Sequence, residues 1–373
     1  MTARILHLGY DSQFTTFQCD VFEEVAPGQN VVWLLSDGTQ TAAKYPTRTP
    51  DVRFAKARAL PPLDLVREAR SATLVVAHAM TPVAAALFPL LPSSVTTVWS
   101  GWGYDYLEDY GDLDLTYLGP YTRDLVAAMP AAPRTSLVER AQIRVLEFAR
   151  RHAAARTDVF SAPVPSDVDV LASRYPRFRG VYHHLNYADV ETTFAAPPTP
   201  PDAQDVLVGN SATATNNHAD VFRLLSGLDL GNRRVVTPLT YGDDAYREAV
   251  LDEGRALLGD HFAPVVDHLP LAEYLSLTAS CSVVVFAHRR QQGLGNIGAA
   301  LSRGAHVYLA DSSPLTPWLR EHGMAVGSTT DLVGGLPASP HSAEVVDANR
   351  AGLRSLWARD VAMRQVRALL VRT

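Results

Sequence analysis

The residues best suited to chemistry lie in one run, where Val284-Val285-Phe286-Ala287 leads into His288, Arg289, Arg290, Gln291, Gln292, Gly293, Leu294, Gly295 and Asn296. A buried strand opening into cations, amides and a glycine-studded helix start offers guanidiniums and free backbone N–H groups to one anion. A diphosphate fits that donor set. Solvated loop charges and helix-packing glycines are the plainer alternative, and Gln291 with Gln292 favours the first reading.

A second loop, Gly209-Asn210-Ser211-Ala212-Thr213-Ala214-Thr215-Asn216-Asn217-His218, follows Val206 to Val208 and is almost wholly small or hydrogen-bonding. It can hold phosphate or sugar hydroxyls beside a helix start, or it can be a capping cluster, although a cap needs one such residue. A third loop, Ser100-Gly101-Trp102-Gly103-Tyr104-Asp105-Tyr106, combines aromatic faces that stack on sugar rings with a carboxylate able to bind or deprotonate a hydroxyl. Trp102 and Tyr104 are its candidate acceptor contacts and Asp105 its candidate base, against the alternative that Asp105 caps a helix or pairs with an arginine. His7, Asp11 and His78 end neighbouring strands and could line the same crevice; Asp11 is a further acceptor contact and His78 a second candidate base.

No metal is expected. The Asp-x-Asp pairs, Asp112/Asp114 and Asp167/Asp169, do not follow apolar strands, and His183-His184 lacks the spacing of a helical zinc site. No cofactor is expected either.

These loops need strands and helices to hold them. The 373 residues suffice for two domains, and 47% hydrophobic with 19% charged residues excludes a wholly disordered chain. A net charge of −6 argues against a nucleic-acid partner, and Cys19 and Cys281 form neither a disulfide scaffold nor a cysteine zinc site. No apolar run reaches the roughly 20 residues of a membrane span.

Short β-branched runs alternate with amphipathic stretches, the pattern of parallel strands and crossover helices. Strands are expected at 5–8, 31–35, 74–77, 95–99, 159–161 and 181–183, then at 206–208, 235–237, 264–266, 282–286 and 307–310. A long helix is expected over 136–156, with Leu137, Ala141, Val145 and Phe148 on one face. Four prolines in Ala195 to Gln204 mark a linker. The expected domains are 1–195, carrying the acceptor, and 205–345, carrying the donor; a helical tail, 346–373, would cross back to the first. Two doubly wound sheets then face a central crevice.

Leu207-Val208-Gly209-Asn210-Ser211 with Asn217-His218, Thr237 to Gly242, Leu271-Ala272-Glu273-Tyr274-Leu275 and Arg290 to Gly295 together resemble glycosyltransferase family 56, the TDP-N-acetylfucosamine:lipid II N-acetylfucosaminyltransferases. Trp99 to Leu107 is similar to that family's Trp-Gly-x-Asp-Leu-Tyr loop, and His78 and Phe178-Arg179-Gly180 match it in place.

The resemblance implies a GT-B fold of two Rossmann-like domains. It also implies a nucleotide-sugar donor, dTDP- or UDP-linked, at Gly209, Asn210, Ser211, Asn217, His218, Tyr241, Glu273, Tyr274, Arg290 to Gly293 and Gly295; Arg289 and Asn296, where the sequence departs from the family, join that set by their place in the cationic, amide-rich run. The acceptor would be a glycan, in one form polyprenyl-diphosphate-linked, at the first domain, with Asp105 aligned on the family's aspartate. Such an enzyme would build surface polysaccharide in the cytoplasm. Arginines at 140, 144, 150, 151 and 156, and between 350 and 372, would draw it to an anionic membrane face. A nucleotide-sugar epimerase and a non-catalytic nucleotide-sugar-binding module are the alternatives.

Overall fold

The computed structural model describes residues 4–40, 42–57, 60–108, 113–130, 136–192, 194 and 197–372. Asp112 of the first Asp-x-Asp pair and residues 195–196 of the expected linker lie outside them. The chain divides into two compact units: Met1–Leu113 with Arg134–Asp189 and Trp357–Thr373, and Asp114–Pro133 with Val190–Leu356.

The first unit is built on β1 (Ile5–Tyr10), β2 (Asn30–Ser36), β3 (Val52–Lys56), β4 (Leu74–His78), β5 (Thr96–Ser100), β6 (Val159–Ser161) and β7 (Val181–Tyr182). All pairings are parallel, in the order 3-2-1-4-5-6-7. The second unit repeats the plan with β8 (Asp205–Val208), β9 (Val235–Pro238), β10 (Phe262–Val265), β11 (Cys281–Phe286), β12 (His306–Leu309) and β13 (Val326–Ser328). Its order is 10-9-8-11-12-13, again all parallel. The central strands read Leu-Val-Val-Ala-His and Cys-Ser-Val-Val-Val-Phe and are buried throughout, because helices cover both faces of a parallel sheet. In each sheet the chain order reverses between two neighbours, β1 and β4 in one, β8 and β11 in the other. Ligands bind outside the carboxyl ends of such a pair.

The edge strands β3 and β13 are additions to the expected set. Val-Arg-Phe-Ala-Lys is only partly buried and Val-Gly-Ser is three residues long, so neither carries an apolar run.

The domain limits also shift. The helix Pro120–Ala128 packs with the second unit, since the Asp220 carboxylate accepts from the Tyr121 and Thr122 amides, and Asn217 Oδ1 accepts from Gly119 N at 2.8 Å. Leu118 is buried in that unit's core. The chain returns to the second unit at Val190, ahead of the prolines. The tail is two helices. Ala343–Trp357 belongs to the second unit apart from its last residue, whereas Arg359–Arg372 inserts Ala362, Val366 and Leu369 into the first core beside Ile5, Phe22 and Val98.

The helix Leu137–Arg156 begins with a capping box: Ser136 Oγ accepts from Glu139 N, and the Glu139 carboxylate accepts from Ser136 N. Its apolar face is turned outward. Leu137, Val145 and Phe148 are 82%, 63% and 64% exposed, while Arg150, Ala153 and Ala154 face inward.

Candidate functional site

In the second unit, the two loops singled out in the sequence are the two that leave β8 and β11, on either side of the order reversal. The β8 loop turns at Gly209, whose φ is +66°, and is held by Asn216. The Asn216 amide donates to Ser211 O, Ser211 Oγ and Thr213 O, all at 3.1 Å. Its carbonyl oxygen accepts from Asn210 N at 3.0 Å and from His288 Nε2 at 2.9 Å, which ties the loops together. Thr215 Oγ1 adds a bond to Gln292 Oε1 at 2.6 Å.

Asn217 sits in the left-handed region at φ +56°, and its amide donates to Ala287 O at 2.7 Å. Its side chain is thus spent on the scaffold, with Gly119 and Tyr117 as further partners. None of the polar residues of the β8 loop caps the helix His218–Leu225, nor does a side chain cap Leu294–Arg303, which starts at Gly293 with φ +69°. The capping-cluster reading therefore fails. The helix Leu294–Arg303 starts beyond the carboxyl end of β11, with Gly293, Gly295 and Asn296 half-buried there, whereas the start of His218–Leu225 is buried beneath Gly119, Tyr121 and Thr122.

His218 and His288 are fully buried, and each has a ring nitrogen without a hydrogen-bond partner, Nε2 and Nδ1 respectively. A Cβ on Gly209 would lie 2.7 Å from His218 Nε2, and one on Gly293 would lie 3.2 Å from His288 Cε1. Both glycines are thus places where backbone passes closely over an imidazole. Burial pushes both histidines down to about 3, with the Arg290 charge adding to the effect at His288, so both rings are neutral.

His288 was not among the expected site residues, although it lies inside the run that drew attention. A histidine directly after an apolar strand was the available signal. Arg290 and Gln291 are buried, and Arg289, Gln292, Gly293, Gly295 and Asn296 are half-buried around the same helix start. Tyr241 and Glu273 are exposed and Tyr274 is half-buried, its hydroxyl pushed up to about 12 by burial.

In the first unit the loops after β1, β4 and β5 meet. Ala79, just beyond β4, has φ +68°; with Asn217 it is one of two non-glycine residues in that region among those described. Such strain persists where the surroundings over-determine it, and both cases border an order reversal.

Asp105 is 1% exposed and accepts three bonds: Met80 N at 2.8 Å, Trp99 Nε1 at 2.6 Å and Trp102 N at 2.8 Å. It lies in the first turn of the short helix Tyr104–Leu107 without capping it, and it pairs with no arginine among the described residues; it fastens the β5 loop to the end of β4. Burial raises its pKa against the pull of these donors. His78 is fully buried, with Nδ1 on Gln18 Oε1 at 2.6 Å and Nε2 facing His7 Nδ1. A general base must touch the proton it takes, and this structure brings neither Asp105 nor His78 to an open surface; against the expectation, both are turned to holding their neighbours in place.

Asp11 accepts from the Lys44 and Tyr45 amides and from the Gln40 side chain, and so holds the loop before β3 instead of facing an acceptor. Trp102 packs edge-on to Phe14, its buried Nε1 without a partner, while Tyr104 is 46% exposed. A hollow of about 580 Å³ opens at the ends of β1, β2 and β3, lined by Tyr10, Leu35, Ser36, Asp37, Lys56 and Ala57. No expected site residue lines it. In the Asp-x-Asp pairs, Asp167 is buried and accepts from the Tyr106 hydroxyl at 2.5 Å, and Asp114 caps a short turn.

A family model described as 4-alpha-L-fucosyltransferase glycosyl transferase group 56 matches residues 138–334, more than half of the chain. Among solved structures, HepE from Anabaena in complex with UDP is similar at 12% identity and a TM-score of 0.65, over 99% of this chain and 100% of that one. Sucrose-phosphate synthase from Thermosynechococcus elongatus is similar at 10% identity and a TM-score of 0.64, over 99% and 98%. The lipopolysaccharide outer core galactosyltransferase WaaB is similar at 11% identity and a TM-score of 0.60, over 99% and 100%. At these identities the likeness concerns the fold, which is the GT-B fold of two Rossmann-like domains.

Proposed function

The chain belongs to the 4-alpha-L-fucosyltransferase family, glycosyltransferase group 56, and is a glycosyltransferase; from that premise we propose that it moves a hexosyl group from a dTDP- or UDP-sugar to a lipid-diphosphate-linked glycan. The observation that carries the donor half is the uncapped N-terminus of Leu294–Arg303 beyond β11, with Arg289 and Arg290 in the turn that leads to it.

In the reaction an acceptor hydroxyl oxygen bonds to the anomeric carbon and gives up its proton, to the departing diphosphate or to solvent. The bond from that carbon to the diphosphate oxygen breaks, and the nucleoside diphosphate leaves with the electron pair. Charge grows on the leaving diphosphate, where first-turn N–H groups and guanidiniums stabilise it without the reorganisation water would need. That chemistry supplies the role a divalent cation would otherwise fill. HepE, solved with UDP, supports a pyrimidine nucleotide.

The acceptor half rests on the first unit's aromatic loop, with Trp102 and Tyr104 toward the sugar and Asp105 holding the loop in shape. The lipid half rests on Leu137–Arg156. Its outward face carries Leu137, Ala141, Val145 and Phe148, flanked along one side by Arg140, Arg144 and Arg151, all exposed. An apolar stripe edged with arginines lies flat in an anionic headgroup layer. No helix among the described residues is long and apolar enough to cross a membrane, so attachment at the cytoplasmic leaflet would be peripheral.

The deciding experiment offers dTDP-, UDP- and GDP-sugars with and without an undecaprenyl-diphosphate-linked saccharide and follows the donor. Consumption of one pyrimidine donor only when acceptor is present is expected. Isomerisation of the donor alone would make the protein an epimerase, and binding without turnover would make it a binding module.

A further inference from the structure

Beneath the first sheet's carboxyl edge, His7 on β1, His78 on β4 and Cys19 on the helix Gln13–Val25 converge in the core, all three with no exposed surface. Their donor atoms lie within 4.8 Å of one another, and no other histidine, cysteine or carboxylate trio among the described residues does so. His7 Nδ1 is 3.0 Å from His78 Nε2, and Cys19 Sγ is 3.8 Å from the same Nε2.

The surrounding hydrogen bonds fix which ring nitrogens carry hydrogen. The Asn30 amide nitrogen donates to Glu23 Oε2 and to Ala26 O, both at 2.8 Å, so the oxygen of that amide is the atom turned to His7 Nε2 at 3.1 Å. His7 must therefore hold its proton on Nε2. The Gln18 amide nitrogen points at Leu185 O, and its oxygen accepts from Ser100 Oγ and faces His78 Nδ1 at 2.6 Å. His78 must hold its proton on Nδ1. The inner atoms, His7 Nδ1 and His78 Nε2, are then two lone pairs pointed at each other, with the sulfur beside them.

Three electron-pair donors thus share a single proton, that of the thiol. A second proton would make a fully buried imidazolium, and no carboxylate is hydrogen-bonded to either ring among the described residues, so the charge would stand uncompensated. A cation resolves the arrangement. Zinc–nitrogen bonds of about 2.0–2.1 Å and zinc–sulfur bonds of about 2.3 Å place ligand atoms roughly 3.3–3.8 Å apart, so the two spacings to His78 Nε2 need only small adjustments, while the third pair, within 4.8 Å, closes as the metal draws Cys19 and His7 together. Asn30 and Gln18 already stand where outer partners orient metal-bound imidazoles.

We propose that His7 Nδ1, His78 Nε2 and Cys19 Sγ form a buried structural site for one thiophilic metal ion, of the Zn²⁺ or Cu⁺ class. On loading, the thiol proton leaves to solvent, the sulfur bonds to the metal as thiolate, and both inner lone pairs become metal bonds. Cu⁺ with one thiolate leaves the site neutral, which suits a core without acids, whereas Zn²⁺ leaves one positive charge. The site lies apart from the donor cradle, so it stands whether or not the proposed transfer reaction does.

The full-length protein is purified without chelators from cells supplied with zinc or, separately, copper. It is desalted, and its metal content is measured per chain together with the X-ray absorption edge of any metal retained. About one equivalent of one metal, with two nitrogen ligands and one sulfur ligand, is expected. Cys19→Ser and His78→Gln should each retain less than a tenth of that, with the folded state checked by circular dichroism. Less than a tenth of an equivalent in the wild-type protein from both cultures would overturn the proposal. So would a retained metal lacking a sulfur ligand, which needs no variant to fold.

Discussion

At the residue scale, the tightest constraint in the donor cradle is Gly209. Any side chain there meets His218 Nε2 at 2.7 Å and Asn216 Oδ1 at 2.9 Å and must also adopt φ +66°. Gly209→Ala should therefore lose nucleotide affinity, with a stability cost of about 1–2 kcal/mol from the left-handed backbone alone. Calorimetric titration and a thermal melt measure the two effects. Arg290→Ala acts differently: the fold should persist while nucleoside-diphosphate affinity falls about tenfold or more, as the loss of one charge-assisted bond implies. Equal affinity for the nucleoside and its diphosphate in the wild type would remove this role. Asp105→Asn is not a conservative change here, because three donors converge on the carboxylate and an amide nitrogen would confront at least one of them. The cost is about 1–3 kcal/mol of stability. Turnover should fall through a disordered acceptor loop, raising KM for the acceptor while donor binding stays normal. A loss confined to kcat with an unchanged melting temperature would restore Asp105 as the base.

At the scale of elements, Leu137–Arg156 shows how periodicity locates a face without saying where it points. The spacing of Leu137, Ala141, Val145 and Phe148 follows a helix, and the capping box marks its start. The inward side is instead set by Ala153, Ala154 and Arg150, which are small or long enough to pack beneath the helix. The double substitution Val145→Ser and Phe148→Ser should leave the melting temperature nearly unchanged, since both side chains are already in water. It should also abolish flotation with anionic liposomes. Flotation equal to wild type would show that this face is not the lipid contact. The strands are a simpler case. β4 and β11 are legible because fully buried parallel strands are continuously apolar, while β3 and β13, at sheet edges, carry too little of that pattern to be seen.

At the scale of the whole molecule, the last helix matters more than its distance along the chain suggests. Arg359 pairs with Glu24 at 2.8 Å and with Asp189 at 3.5 Å, and three apolar residues of Arg359–Arg372 complete the first core. The hydrogen bond from Arg359 holds the Glu24 carboxyl below its usual range. A depressed carboxyl pKa stabilises the fold above the unfolded value, near 4.3, and the gain disappears as pH falls through the folded value. The stability difference between wild type and Arg359→Gln should therefore be full at pH 7, start to shrink below about pH 4.3 and vanish only once the pH is under the depressed folded value, read from denaturant midpoints. A pH-independent difference would mean that Arg359 acts by packing alone. The sequence by itself determined the two α/β halves, most strand positions and the two polar loops of the donor cradle, because each is written in a contiguous run whose pattern needs no distant partner. Only the tertiary structure decided that 114–133 joins the second unit, that the outward stripe of Leu137–Arg156 is unburied, and that Asp105 and His78 are walled into the protein. Those outcomes depend on which residues meet across roughly 25 to 170 positions of chain: Met80 with Asp105, Gln18 with His78, Gly119 with Asn217 and Gln18 with Leu185. Burial and hydrogen-bond partnership are properties of packing, and short-range spacing carries no record of them.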